Sequence, residues 1–379
     1  METWNGVKVD KYSSLCSVMR LNNWSVHFFA VEVGAKGFCS ETVSLPRRLS
    51  FSNMSVRSTR KSLTESSMRS SFYIWLSRDS LSWIHPESLG SNSGLLNLGN
   101  TCYINSILQC FYVLPAVATA ISANDSNMPI GKSFVSILRK LSSSKVPVNT
   151  SSFLNALKGH VSNARGAAFN PFSQQHALEI LEYLIPELSL AFPFFGRLFN
   201  TRVKICTTCS ACNNISTSKQ VSPFLQLPLT LTVQSSIDNF LESEELSGVN
   251  SYFCHYCNSY QTATVEKEVA ECSSILVLQL KRFAYNKGHV SKVCSPVTSY
   301  PGTVSIPITV DSEVSCRKHY NLRAVINHYG NLYNGHYTTI AYNQVHGKWF
   351  YCNDRAVVPC KQSLLNGVQP YILFLKEVR

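Results

Sequence analysis

Cys206, Cys209 and Cys212 form two overlapping Cys-x-x-Cys pairs, and Cys254-His-Tyr-Cys257 follows about forty residues downstream. Two such pairs are the layout of a tetrahedral four-cysteine zinc site, in which each knuckle gives two thiolates from a tight turn. A site of that kind draws two turns that are distant in sequence to one point, so it restricts the fold more than any stretch of helix or strand. Four sulfur ligands leave no open position for water, which makes the metal structural. Spacing alone leaves open which member of the first trio stands outside. Nothing suggests the βαβ frame of a thioredoxin-like redox pair.

The chain holds fourteen cysteines in 379 residues. In a small secreted protein they would suggest a disulfide framework, but this chain is long and opens with no apolar signal segment. No run approaches the ~18 apolar residues of a membrane span. A reducing compartment, cytosol or nucleus, is expected, with the cysteines serving as metal ligands, a nucleophile and buried fillers. The net charge of +12 is spread without a long Lys/Arg block, so no nucleic-acid partner is expected. The length predicts one large domain of two or three subdomains, plus a tail.

That tail is residues 1–93. Trp24 to Val33 is mildly strand-like, whereas Ser44 to Ser93 is crowded with serine and arginine and lacks periodicity, which predicts a largely disordered arm. Arg48 lies two residues before Ser50, a pattern that basophilic kinases favour. From 94 to about 190 the pattern is helical, with a helix-like run from Gln174 that Pro186 is expected to close. Short strands and the cysteines follow to about 273, and the last third is strands, among them the apolar run from Ile275 to Phe283.

Two places carry chemistry. After Gly94 and Gly99, apolar residues recur at Tyr103, Ile104, Ile107, Leu108 and Phe111, one face of a helix with Asn100 as its expected N-cap. Cys102 falls in the first turn, where unpaired N–H groups and the helix dipole favour a thiolate nucleophile. Asn97, five residues upstream, is placed to donate a hydrogen bond to an oxyanion. Near the C-terminus, two strands meet at a turn over 343–348, which sets His336 and Asn353 within a residue or two of each other. A side chain at 353 then orients His336 to take a proton from Cys102. His328 is the rival histidine, but a glycine loop follows it, not a returning hairpin.

The stretch Gly94-Leu-Leu-Asn-Leu-Gly-Asn-Thr-Cys-Tyr-Ile-Asn-Ser-Ile-Leu-Gln-Cys-Phe111 closely resembles the Cys box of the ubiquitin-specific proteases, a papain-like family. Gly335-His-Tyr337 is similar to that family's His box, Asn353-Asp354 to its third catalytic position and the carboxylate after it, and Leu278 to Phe283 to its Leu-x-Leu-Lys-Arg-Phe string. The resemblance covers roughly residues 93–377. It implies an α+β hand with a thumb over about 94–190, fingers over about 195–273 and a palm over about 274–379. It implies a deubiquitinase in which Cys102 attacks, His336 shuttles the proton, Asn353 orients it, Asn97 stabilises the oxyanion and Asp354 supports Asn353 or the oxyanion site. Counting back from Leu225-Gln-Leu-Pro228 selects Cys209 and Cys212, beside Cys254 and Cys257, as the zinc ligands, with Cys206 as spare or alternate. The same resemblance gives Glu242, Glu244 and Glu245 as an acidic cluster.

In one motif the chain departs from the family. Gln175 and His176 stand at the tail-binding positions Gln-Asp, and His176 replaces a carboxylate that accepts backbone N–H groups of the ubiquitin tail. The expected partners are ubiquitin and ubiquitinated proteins, with the chain a monomer. The rival expectations are a ubiquitin binder whose catalysis has decayed, a protease for a ubiquitin-like modifier, and a zinc-ribbon nucleic-acid binder.

Overall fold

The computed structural model describes residues 26–30, 72–76, 93–122, 126–165, 169–286, 289–298, 300, 302–310, 313–331 and 335–378. The chain divides into two compact units, Met1–Trp83 and Ile84–Arg379.

In the first unit, β1 (Val26–Ala30) pairs antiparallel with β2 (Phe72–Leu76), in the register Val26↔Leu76 to Ala30↔Phe72. The strand-like patch around 26–30 thus pairs, and its partner comes from the segment read as unstructured. Phe-Tyr-Ile-Trp-Leu is a run of aromatic and β-branched residues, which suits a strand whatever surrounds it. Ser50 and the rest of the arm lie outside the described residues.

The second unit opens with helices α1 (Cys102–Tyr112), α2 (Pro115–Ser122), α3 (Pro129–Ser143), α4 (Ser151–Arg165) and α5 (Ala177–Ala191). Every residue of α1 is buried, and Phe111 sits edge-on against Phe134, Phe195 and Phe374. Two local expectations fail here. The N-cap position belongs to Thr101, not Asn100, since Gly99 at φ +122 turns the chain just before it and the Thr101 carbonyl takes the first helical N–H, that of Asn105, at 3.0 Å. Pro186 does not close α5 but lies inside it. Leu184, Ile185, Leu188 and Ala191 continue the buried face on both sides of the proline, and that burial outweighs the roughly 3 kcal/mol that an interior proline costs.

After the helices come β3 (Thr201–Cys209), β4 (Ile215–Ser222), β5 (Leu225–Pro228), α6 (Val233–Leu241), β6 (Glu244–Leu246), β7 (Tyr252–Cys254), β8 (Ser259–Gln261) and β9 (Ala263–Cys272). Strands β4-β3-β9-β6 make a four-stranded sheet and β7-β8 a hairpin. The remaining strands are β10 (Ile275–Lys281), β11 (Phe283–Asn286), β12 (His289–Lys292), β13 (Thr303–Val310), β14 (Glu313–Gly330), β15 (Gly335–Asn343), β16 (Lys348–Asn353), β17 (Ala356–Cys360) and β18 (Pro370–Glu377). Of these, β11 and β12 pair only with each other, and the other seven join β5 in an eight-stranded sheet in the order β17-β16-β15-β14-β18-β10-β5, with β13 added to β14.

The apolar run at 275–280 is the interior strand expected of it, buried from Ile275 to Leu280 between β18 and β5. One face of the large sheet carries a core of Leu276, Leu278, Leu280, Val325, Ile340 and Leu373. Against the other lies α1, where Thr339 Oγ1 donates to the Ser106 carbonyl at 3.0 Å and Phe374 meets Phe111. The helix that begins at Cys102 is therefore seated on the strands that carry His336 and Asn353.

Candidate active site

Cys102 is the first residue of α1 and is 2% exposed. His336 stands one residue into β15, and Asn353 ends β16. Pairing of Thr339 with Cys352 puts Asn353 across from Thr338, diagonal to His336. From there Asn353 Oδ1 lies 2.8 Å from His336 Nε2. An amide oxygen only accepts, so Nε2 carries the proton and Nδ1 is left to face the thiol. The interaction with Cys102, then the bond to Asn353 and the charge of Asp354, push the imidazole up from 6.5 to about 9. This is the arrangement of a cysteine beside an oriented imidazole that can take its proton.

His328 is arranged differently. It is 3% exposed, in ring contact with Tyr337 at 4.6 Å and Phe283 at 5.6 Å. Burial, with the charges of Lys292, His176 and His336, pushes it down to about 4, so it stays neutral. Its ring packs on Gly335, where a Cβ would fall 2.1 Å from Nε2.

Asp354 turns away from Asn353. It sits at φ +47 in the two-residue turn between Asn353 and Ala356, and its carboxylate accepts from Asn97 Nδ2 at 2.8 Å and from Asn105 Nδ2 at 2.8 Å. Its backbone carbonyl takes the Leu95 N–H at 2.8 Å. Asn97 Oδ1 in turn accepts from the Thr101 N–H at 3.1 Å. Of the two neighbours left open for Asp354, Asn353 and the oxyanion-site Asn97, its carboxylate bonds Asn97. Asn105 was missed in the sequence, although an amide in the middle of an apolar helix, one turn after the cysteine, is a visible signal.

Gln175 and His176, which the resemblance gave as contacts to the tail, both bond within the chain itself. Gln175 Nε2 donates within its own loop, to the Asn170 carbonyl at 3.2 Å and Ser173 Oγ at 2.9 Å. Its neighbour Gln174, not singled out from the sequence, reaches the Gly335 carbonyl at 3.1 Å, next to His336. His176 turns inward, with Nδ1 3.2 Å from the Tyr371 hydroxyl and its ring edge-on to Phe283 at 5.6 Å. Burial holds its pKa below the ordinary imidazole value.

At the far end of the small sheet, the sulfurs of Cys209, Cys212, Cys254 and Cys257 lie within 4.8 Å of one another, with Cys209–Cys257 at 4.0 Å and Cys212–Cys254 at 3.7 Å. Tetrahedral zinc with ~2.3 Å Zn–S bonds sets its sulfurs about 3.8 Å apart, so the cage has the right size. Each knuckle turns through a left-handed asparagine, Asn213 at φ 57 and Asn258 at φ 51. Backbone N–H groups of Cys212 and Ala211 point at the Cys209 sulfur and lower it to about 7. Cys206 stays in mid-strand, 3.8 Å from Thr217 Oγ1 and outside the cluster. Of the acidic cluster, Glu244 pairs with Lys267 at 3.2 Å and Glu242 accepts from Asn239 at 3.0 Å. Among the described residues no single helix is long and apolar enough to cross a membrane.

The family model described as ubiquitin carboxyl-terminal hydrolase matches residues 93–375. Ubiquitin carboxyl-terminal hydrolase 17-like protein B of Mus musculus is 28% identical over 327 residues, 78% of this chain and 66% of the relative. Ubiquitin carboxyl-terminal hydrolase 26 of Oryza sativa subsp. japonica is 28% identical over 285 residues, 72% of this chain but 26% of the relative. The chain thus spans between about a quarter and two thirds of these curated relatives. Among solved structures, the SAGA DUB module of Ubp8, Sgf11, Sus1 and Sgf73 bound to monoubiquitin shares the fold. Its TM-score is 0.63 at 24% identity, over 77% of this chain and 70% of that one. The same module bound to ubiquitin aldehyde gives a TM-score of 0.62.

Proposed function

The chain belongs to the ubiquitin carboxyl-terminal hydrolase family, and on that premise we propose that it is a deubiquitinating cysteine protease. It hydrolyses the peptide or isopeptide bond after the C-terminal glycine of ubiquitin, with ubiquitinated proteins as substrates. The observation that carries this reading is His336, held by Asn353 at 2.8 Å and raised in pKa chiefly by Cys102, the first residue of the helix seated on the same sheet.

The Cys102 thiolate adds to the glycine carbonyl, and the negative charge moves to its oxygen. Asn97 gives one amide proton to Asp354 and turns the other toward that oxygen. The carbon–nitrogen bond then breaks, His336 hands its proton to the departing amine, and a thioester remains on Cys102. Neutral His336 next takes a proton from water, which attacks the thioester and returns the thiolate. Asn353 keeps the ring in one tautomer and orientation through both steps. Cys209, Cys212, Cys254 and Cys257 would hold the structural zinc, which joins the β3–β4 turn to the β7–β8 hairpin and supplies no chemistry to the reaction.

His176 favours a second reading, the same chemistry on a ubiquitin-like modifier, because an inward imidazole replaces the carboxylate that would grip the tail. One experiment addresses both. The protein and its Cys102→Ala variant are exposed to ubiquitin carrying a thiol-reactive C-terminal group, with ubiquitin-like modifiers carrying the same group in parallel. An adduct with ubiquitin that needs Cys102 is the expected result. Adduct formation only with another modifier selects the second reading. No adduct of any kind from folded, zinc-loaded protein sinks the protease assignment.

A further inference from the structure

Helix α1 is buried along its whole length, yet two of its residues are amides, Asn105 at 2% exposure and Gln109 at 5%. Four residues apart, they share one face, and both reach the segment that leads into Asn97. Gln109 Nε2 donates to the Ser93 carbonyl at 3.0 Å, and Asn105 Nδ2 to the Leu96 carbonyl at 3.3 Å. Asn105 Nδ2 also donates to Asp354 Oδ1 at 2.8 Å. Both partners of Asn105 are acceptors, so its NH2 group must face them and its amide orientation is settled by chemistry alone. The consequence is that Asn105 Oδ1 is buried without a hydrogen-bond partner. Stability by itself does not favour such an atom.

What the arrangement does achieve is a closed circuit. The other Asp354 oxygen accepts from Asn97 Nδ2, and Asn97 Oδ1 accepts from the Thr101 N–H that precedes Cys102. The circuit leaves α1 at its N-cap, Thr101, passes through Asn97 and Asp354, and returns to α1 at Asn105. An amide is planar, so once its oxygen and one proton are fixed, the direction of its second proton is fixed as well. We propose that Asn105 is a positioning residue which, by holding the Asp354 carboxylate from the nucleophile's own helix, aims the remaining Asn97 proton at the oxyanion. This rests on the protease reading above.

The test uses the full chain with Asn105→Ala and Asn105→Asp. Ubiquitin–fluorophore hydrolysis should lose about tenfold to hundredfold in kcat, less than the roughly 10²–10³-fold for deleting an oxyanion donor, with KM within about twofold. Alkylation of Cys102 by iodoacetamide forms no oxyanion, so its rate should stay within about twofold of wild type. For Asn105→Asp, the ratio of variant to wild-type kcat should rise as pH falls, because two facing carboxyls regain the hydrogen bond by sharing a proton. Equal losses in hydrolysis and alkylation, or a wild-type kcat, overturn the proposal. If wild-type protein leaves ubiquitin conjugates intact, it is the protease reading that falls. Crystal structures of the variants then decide the positioning role by whether Asn97 has left Asp354.

Discussion

Replacement of Gly335 by Ala tests how tightly the general base is placed. A Cβ at 335 would lie 2.1 Å from His328 Nε2, 2.9 Å from its Cε1 and 2.8 Å from the Tyr329 carbonyl oxygen. Ordinary contacts begin near 3.5 Å, so the groups must separate by about 1.4 Å. His328 cannot give way, since it is held among Tyr337, Phe283 and Tyr371 at 4.6, 5.6 and 6.1 Å. The Tyr329 carbonyl belongs to β14 and is no freer. Strand β15 must therefore lift at its start, and the next residue is His336, bonded to Asn353 at 2.8 Å. Overpacking of this kind costs about 1–3 kcal/mol of stability, and a ~1 Å misplacement of a reacting group costs about 10²-fold in rate. Gly335→Ala should thus lower kcat roughly a hundredfold, read by ubiquitin–fluorophore hydrolysis beside urea denaturation. Adding His328→Ala removes the nearest clash and should restore at least about tenfold, a coupling of ~1.4 kcal/mol in the double-mutant cycle. A single variant that keeps kcat within threefold of wild type would refute the reasoning.

Three further outcomes are expected. His336 is raised from 6.5 to about 9 chiefly by Cys102 and by its bond to Asn353. The stabilisation linked to the protonated His336 is then fully present below about 6.5 and lost as pH rises through about 9. Hydrolysis should fall above about 9, and Asn353→Ala should move that alkaline limb toward neutrality; a limb that stays in place contradicts the assignment. His176 occupies the N-cap of α5 without a side-chain capping bond. His176→Asp should supply one, adding about 1 kcal/mol to stability, and should lower KM for ubiquitin substrates. A lowered Tm or an unchanged KM argues against those two effects respectively. Metal analysis should find one zinc per chain in wild type and in Cys206→Ser, but little in Cys212→Ser; loss of zinc from the Cys206 variant would reassign the ligand.

What the sequence determined by itself is what short-range chemistry determines. The Cys-x-x-Cys spacing makes a knuckle wherever it is placed, and the alternation of residues around 343–348 brings His336 to Asn353, because antiparallel pairing follows from the turn. The apolar period of 103–111 buries α1 and sets Cys102 at its start. Tertiary structure decided the matters that depend on which segment arrives alongside. Asp354 was legible as a carboxylate next to Asn353, yet its left-handed backbone swings it to Asn97 and Asn105, which come from 257 and 249 residues away. Asn100 lost the cap because the chain turns at Gly99 and it is the Thr101 carbonyl that takes the first helical N–H, and Pro186 was absorbed because the core buries the helix on both sides of it. His176 faces Tyr371 and Phe283, rings on strands that no local pattern ties to α5. Local rules act within a few residues and can be read from order alone. A buried polar atom finds its partner only after the chain has closed around it, and that pairing is where this site was assembled.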